Sequence, residues 1–299
     1  MIESGTVSAM REDVLAWYAR ERRPFPWRGV RDPYAVLVSE VMLQQTQASR
    51  VAERFPRFMA RFGSPAALAM ASSGEVLAEW SGLGYNRRAL ALQRAAIAVA
   101  RDGWPSDVEG LERLPGVGPY TARAVASLAF GVPVGVVDTN VRRWLLRRFG
   151  GPDEPRRLQI LSDALASPGA GAAVADWTHA SMELGASVCR SRAPRCDACP
   201  LAPGCPSRAA PGFVPVPRQP RLHGSDRAYR GAILKELAAS HGRAATEQRV
   251  RRLLASRAAS IGPPLDTRGW NRIVAGLEQD GLAHRRAGRL QLGAATIET

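Results

Sequence analysis

The chain is nearly without lysine. Lys235 is the only one, so chemistry that needs a lysine amine is excluded from residues 1–234. Cysteine is scarce too, with four residues in all, lying between Cys189 and Cys205. Thiols this close together, in a reducing compartment, suggest a metal or cluster site rather than disulfides. No apolar run is long enough to span a bilayer, and the opening MIESGTVSAMREDV lacks the apolar core of a signal peptide. A cytoplasmic, membrane-free protein is therefore expected. Acidic residues are outnumbered, 27 against 41 Lys and Arg, for a formal net charge of +14. That balance points to a polyanionic partner, nucleic acid first, although an Arg- and Ala-rich composition also follows from genome bias. At 299 residues the chain holds one large or two modest domains, each with its own core.

What is present centres on Leu114 to Asn140, LPGVGPYTARAVASLAFGVPVGVVDTN. Gly116 and Gly118 mark a tight turn that feeds a helix N-terminus, whose free amides suit a phosphate. Val132 to Val137 reads as a buried extended run delivering Asp138 to the helix VRRWLLRRF. Asp138 fits two readings at this stage, an N-cap or a functional carboxylate.

Upstream, residues 9–22 have the periodicity of an amphipathic helix, and RRPFPWRGVRDPY is a Pro- and Arg-rich loop. Residues 33–62 then read as one helix. Glu40 sits within it between Val36, Leu37, Val38 and Val41, Met42, Leu43, an apolar coat that nearly encircles the helix. A carboxyl desolvated there has a raised pKa, as a general acid requires; the other reading is a narrow solvated stripe. Gly82-Leu83-Gly84-Tyr85 is either a loop tip that inserts between stacked bases, with Arg87 and Arg88 beside phosphates, or a packed helix corner. The cysteines follow C-x6-C-x2-C-x5-C at Cys189, Cys196, Cys199 and Cys205. That spacing favours a four-iron cluster over a zinc ribbon, which separates two close pairs by a longer insert.

The opening stretch, the cysteine pattern and the run SEVMLQQTQ resemble the helix-hairpin-helix DNA glycosylases with a cluster loop, most closely the MutY family of adenine DNA glycosylases, over residues 10–210. The resemblance implies a mainly α fold, a six-helix barrel module beside a [4Fe-4S] cluster module, with the base pocket between them. It implies that Glu40 protonates the purine leaving group, that Asp138 stabilises the sugar cation, and that Tyr120 and Asn140 assist. Gln45, Thr46, Leu83 and Tyr85 match residues around the mismatch, Trp27 and Arg28 match pocket walls, and Gly116 and Gly118 belong to the hairpin that grips the backbone. Chemistry agrees, since N-glycosidic cleavage through an oxocarbenium-like state wants one protonated acid at the base and one ionised carboxylate at the sugar. The flipped base must also leave the stack to reach them.

The chain departs from that pattern in places. Asn86 follows Tyr85 where a second Tyr is usual, Asp138-Thr139-Asn140 replaces the common Asp-Gly-Asn, and His179 stands at a pocket position where Gln or Glu is usual. The C-terminal segment is too short for the Nudix-like domain of many relatives. After a Pro-rich linker at 211–225, residues 226–299 read as helices at 227–239, 246–255 and 267–279, then a hairpin turning at Ala287-Gly288, a winged-helix-like pattern. The implied function is excision of adenine opposite 8-oxoguanine or guanine in double-stranded DNA by a monomer. Two alternatives stay open: a mismatch glycosylase for thymine or another base, and a non-catalytic iron-sulfur DNA-binding protein. With Tyr120 where endonuclease III-type enzymes carry a Schiff-base lysine, no strand-nicking activity is expected. Borohydride reduction during turnover should trap no appreciable covalent DNA adduct, and trapping in high yield contradicts the expectation.

Overall fold

The computed structural model describes residues 4–167, 172–210, 212, 214 and 221–294. The chain forms two compact units, one made of Met1–Glu40 with Trp104–Arg218 and the other of Val41–Gly103 with Gln219–Thr299. The mainly α class expected from the sequence holds. Among the described residues the only sheet is three short strands near the C-terminus, and no helix is long and apolar enough to cross a membrane.

In the first unit the N-terminal helix Ser4–Glu21 starts five residues before its expected position. Its Val7, Met10, Val14 and Trp17 pack into one core with Val141, Trp144 and Leu145, Leu158 and Leu165, and Trp177 and Leu184. These come from the helices Thr139–Phe149, Pro155–Ala166 and Ala172–Glu183, the last of which continues as a π turn at Leu184–Val188. The sequence reads as helical through residues 140–187 apart from a gap near 167–171, but Gly150 (φ 60°) also ends a helix within it. Residues 168–171 lie outside the described residues.

The hairpin is built as expected: Val108–Glu112, a turn, then Pro119–Phe130. Gly116 carries the left-handed backbone of that turn at φ 76°. Gly118, at φ −94°, is instead the N-cap, without a side chain to cap the helix, and Pro119 opens the first turn. The first amides of this helix are thus met by no capping side chain.

The connector to Asp138 differs from the expected buried run. Only Gly135 and Val136 are fully buried, and no strand forms. At Gly135 the backbone bonds go to side chains: its N–H donates to Asp163 Oδ1 (2.8 Å), while its O accepts from Arg123 (3.2 Å) and Gln159 (2.9 Å). The approach is so close that a Cβ on Gly135 would lie 2.3 Å from the backbone carbon of Ser162.

The second unit begins within the expected single helix of residues 33–62, which is two helices, Pro33–Leu43 and Ala48–Arg61. Arg88 explains the break. Its Nη1 donates to the carbonyls of Val41, Met42 and Gln44, satisfying the helix end and leaving Gln45 in the left-handed region at φ 53°. Ser73–Trp80 starts with a capping box between Ser72 and Glu75, and Arg87–Asp102 follows the 81–86 loop.

The C-terminal part of this unit runs helix Asp226–Ala239, strand β1 (Ala244–Thr246), helices Glu247–Ser256, Ala258–Ile261 and Thr267–Gln279, then β2 (Ala283–Arg286) and β3 (Arg289–Leu292). The antiparallel order is β1-β3-β2. The hairpin turns where expected, with Ala287 at φ 47° and Gly288 at φ 71°; β1 was not foreseen, being only AAT in sequence. Leu292 O lies so near Gly74 that a Cβ there would meet it at 2.8 Å. Most of the expected linker 211–225 lies outside the described residues.

Two glycine substitutions test these close approaches. Gly135→Ala should destabilise by about 1–3 kcal/mol, because backbone must shift to admit the methyl. Gly231→Ala, on Asp226–Ala239 with nothing within 4 Å of its added Cβ, should stabilise by up to about 1 kcal/mol. Urea unfolding of both checks the contrast; equal effects contradict it.

Candidate active site

Glu40 lies near the end of Pro33–Leu43, where Tyr34, Val36, Leu37 and Val38 are buried around it, and it is itself 4% exposed. Burial lifts its carboxyl from the usual 4.5 to about 7. A hydrogen bond from Tyr120 and the charge of Arg28 oppose the rise, while the negative charge of Asp138 adds to it. Near neutral pH this group holds a proton that an exposed Glu would have lost. Tyr120 projects from the first turn of Pro119–Phe130, and burial with the two nearby carboxylates keeps its hydroxyl protonated.

Asp138 meets the N-cap reading of the sequence. It caps Thr139–Phe149, its Oδ1 accepting from the backbone amides of Asn140 (2.8 Å) and Val141 (2.7 Å). Its Oδ2 accepts from the Asn140 side chain (2.7 Å). Burial pushes its pKa up, against those three bonds and the positive charge of Arg143. The helix N-terminus thereby fixes a carboxylate whose second oxygen keeps acceptor capacity.

A second group gathers around Arg28. Its Nη1 donates to His179 Nδ1 (2.5 Å) and its Nη2 to Glu183 Oε2 (2.7 Å). Glu183 is fully buried and also bonds Arg23 through Oε1 (2.5 Å). Burial, then the charges of Arg28, Arg31 and Arg22, drive the His179 pKa well below its ordinary value. Because a guanidinium only donates, Nδ1 accepts, and the proton of this neutral imidazole sits on Nε2. Trp27 is buried and stacks on Phe25 with ring centroids 4.8 Å apart. Glu183 was missed in the sequence, although it stands one helical turn after His179 on the same face.

In the second unit, Thr46 Oγ1 donates to Leu83 O (3.4 Å) and Gln45 is exposed. Leu83 is 3% exposed, so it packs inward in this state. Arg88, expected beside phosphates, is instead turned onto backbone carbonyls, and burial lowers its pKa to about 10.

All four cysteines line one cavity, with Val188, Pro194, Arg147 and Arg208. Among the described residues no three His, Cys, Asp or Glu converge as around one ion. Arg147 donates to Cys189 Sγ (3.4 Å) and to the carbonyls of Arg190 and Ser191. One turn earlier, Arg143 donates to Cys189 O (2.7 Å), Gly185 O (2.6 Å) and Asn140 Oδ1 (2.8 Å). Arg190, Arg192 and Arg195 are exposed on the loop.

Residues 38–166 match the model of the HhH-GPD superfamily base excision DNA repair proteins. An adenine DNA glycosylase of Mycobacterium tuberculosis is 45% identical over 247 residues, covering 76% of this chain and 78% of that protein. The chain belongs to the adenine DNA glycosylase family. The human adenine DNA glycosylase is 42% identical over 68% of this chain and 40% of its own length. Among solved structures, a thermostable thymine-DNA glycosylase superposes with a TM-score of 0.62 at 29% identity, covering 69% of this chain and 97% of its own. The expected fold family is thus confirmed.

The raised pKa of Glu40 has a stability consequence. Between the ordinary 4.5 and about 7 the folded chain binds a proton that the unfolded chain has released. Stability from this group is therefore greatest below 4.5 and falls as pH rises through 7, by roughly 3 kcal/mol. Glu40→Gln should gain about that much relative to wild type between pH 4.5 and pH 8, measured by chemical denaturation at each pH. A pH-independent difference contradicts a buried, proton-holding Glu40.

Proposed function

We propose that the chain is a monofunctional DNA glycosylase of base excision repair, removing adenine mispaired with 8-oxoguanine or guanine in duplex DNA. The observation that carries this reading is Glu40, a carboxyl held protonated near neutral pH, in electrostatic contact with a carboxylate fixed by a helix N-terminus.

In this mechanism Glu40 donates its proton to the purine as the C1′–N9 bond breaks, and the bonding electron pair leaves with the base. Asp138 faces the cationic sugar, its charge held by the Asn140 and Val141 amides. Water then adds to C1′ and its proton returns to Glu40, regenerating the acid. Tyr120 orients the Glu40 carboxyl through its hydrogen bond. No lysine precedes Lys235 to form a Schiff base, so the abasic strand is left intact.

The base pocket takes Trp27 as a wall, and His179 presents Nε2–H as a neutral hydrogen-bond donor in place of an amide. The hairpin at Gly116 and Gly118 and the arginines of the cysteine loop meet DNA phosphates. Tyr85 and Gln45 enter the duplex at the mismatch, and Leu83 joins them by leaving its packed position. Cys189, Cys196, Cys199 and Cys205 would hold a [4Fe-4S] cluster, which supplies a covalent cross-link for the arginine-bearing loop. The described residues from Asp226 to Ala294 form a winged-helix-like domain, supported by the order helix, strand, helices and antiparallel hairpin.

Single-turnover assays on duplexes carrying each base opposite guanine and 8-oxoguanine test the reading. Adenine should be released, thymine retained, and Asp138→Asn should slow release on the order of a hundred- to a thousand-fold. Release of thymine but not adenine overturns the substrate assignment, and no cleavage of any duplex overturns the enzyme.

A further inference from the structure

We propose that Arg227, from helix Asp226–Ala239 of the C-terminal segment, is a positioning residue that pre-sets Tyr85 for entry into DNA. The C-terminal segment would thus act on lesion binding through a side-chain clamp. The inference rests on the reading that Tyr85 enters the duplex.

The 81–86 loop has a backbone that must be held in place. Gly82 (φ 96°) and Gly84 (φ 73°) adopt left-handed conformations at no steric cost, but Tyr85 does so at φ 47° with a bulky side chain. Arg88 fixes the chain path, donating to the carbonyls of Leu83 (3.4 Å), Gly84 (3.0 Å) and Tyr85 (3.4 Å), while Trp80 Nε1 donates to Gly84 O (3.1 Å). None of these bonds reaches the tyrosine hydroxyl.

That hydroxyl is held from helix Asp226–Ala239. Arg227 Nη1 donates to Tyr85 Oη, and the Arg227 guanidinium lies 5.3 Å from the ring centroid; Arg88 lies 5.5 Å from the same ring. A phenol engaged by two guanidinium groups has little rotamer freedom left to lose when it meets stacked bases.

Arg227 is itself mounted on a framework joined to the same loop. Ser225 caps its helix. Asp280 pairs with Arg230 of that helix and with Arg87 (3.6 Å), which borders the loop. Ala294 N–H donates to Ser73 Oγ (3.0 Å) at the start of Ser73–Trp80, the helix leading into the loop. The segment beyond the linker therefore grips both flanks of the loop and touches its tip through Arg227.

The test is a double-mutant cycle in the full chain, reading Kd for a duplex with adenine opposite 8-oxoguanine and the single-turnover rate at saturating enzyme. Arg227→Ala should weaken binding by about 5- to 30-fold, the range expected for one cation–π contact, with the loss in Kd rather than in the rate at saturation. Arg227→Lys, which keeps a cation and a donor, should recover most of it. In a Tyr85→Ala background Arg227→Ala should add nothing.

Unchanged or tighter binding by Arg227→Ala overturns the proposal, as does an equal loss in the Tyr85→Ala background, which marks a merely structural role. Failure of the wild-type chain to release adenine sinks the glycosylase reading, while the cycle in Kd still decides the clamp.

Discussion

Removing the Glu40 carboxyl from water is the constraint on which the proposed catalytic centre depends. The apolar residues on either side of it in Pro33–Leu43 serve the core of the protein and, by the same packing, hold a proton on an acid near neutral pH. Desolvation raises the pKa, and Arg28 and the Tyr120 hydrogen bond moderate the rise, so that the group stays within reach of ionisation. An acid that never released its proton would be as poor a catalyst as one that never held it.

Thr139–Phe149 complements this arrangement. Its N-terminus fixes Asp138, Arg143 joins Asn140 to the carbonyl of Cys189, and Arg147 contacts the Cys189 sulfur. One helix therefore ties the carboxylate to the cysteine cavity through bonds spaced by single turns. Gly185 completes the join, since a Cβ there would come within 2.4 Å of Asn140 O. Around Arg28 the logic is similar: buried Glu183 balances two arginines, and the guanidinium in turn fixes the tautomer of His179.

The residues legible in the sequence are those whose local surroundings reveal their environment. Glu40 stands out because its neighbours are apolar, Asp138 because it precedes a helix, and the cysteines because their spacing is compact. For Asp138 the two readings are compatible, since the capping bonds also hold the carboxylate in place. The features that stayed hidden depend on partners distant in sequence. Arg88 read as a phosphate ligand, yet carbonyls more than forty residues away claim it and also break the expected helix at Gln44. Leu83 reads either as a wedge or as a packed corner, and its burial shows the packed state. Glu183, Arg143 and Arg147 carry charges that a helix normally turns to water, and only the fold shows what each one meets.

The most direct measurement of this account is the titration of Glu40 itself. Carboxyl-labelled glutamate, followed by carbon NMR, gives the Glu40 resonance as the one absent from Glu40→Gln. A desolvated acid beside Asp138 should titrate near 7. A midpoint in the ordinary range of about 4 to 5 would show a solvated carboxylate at Glu40 and contradict its role as the acid.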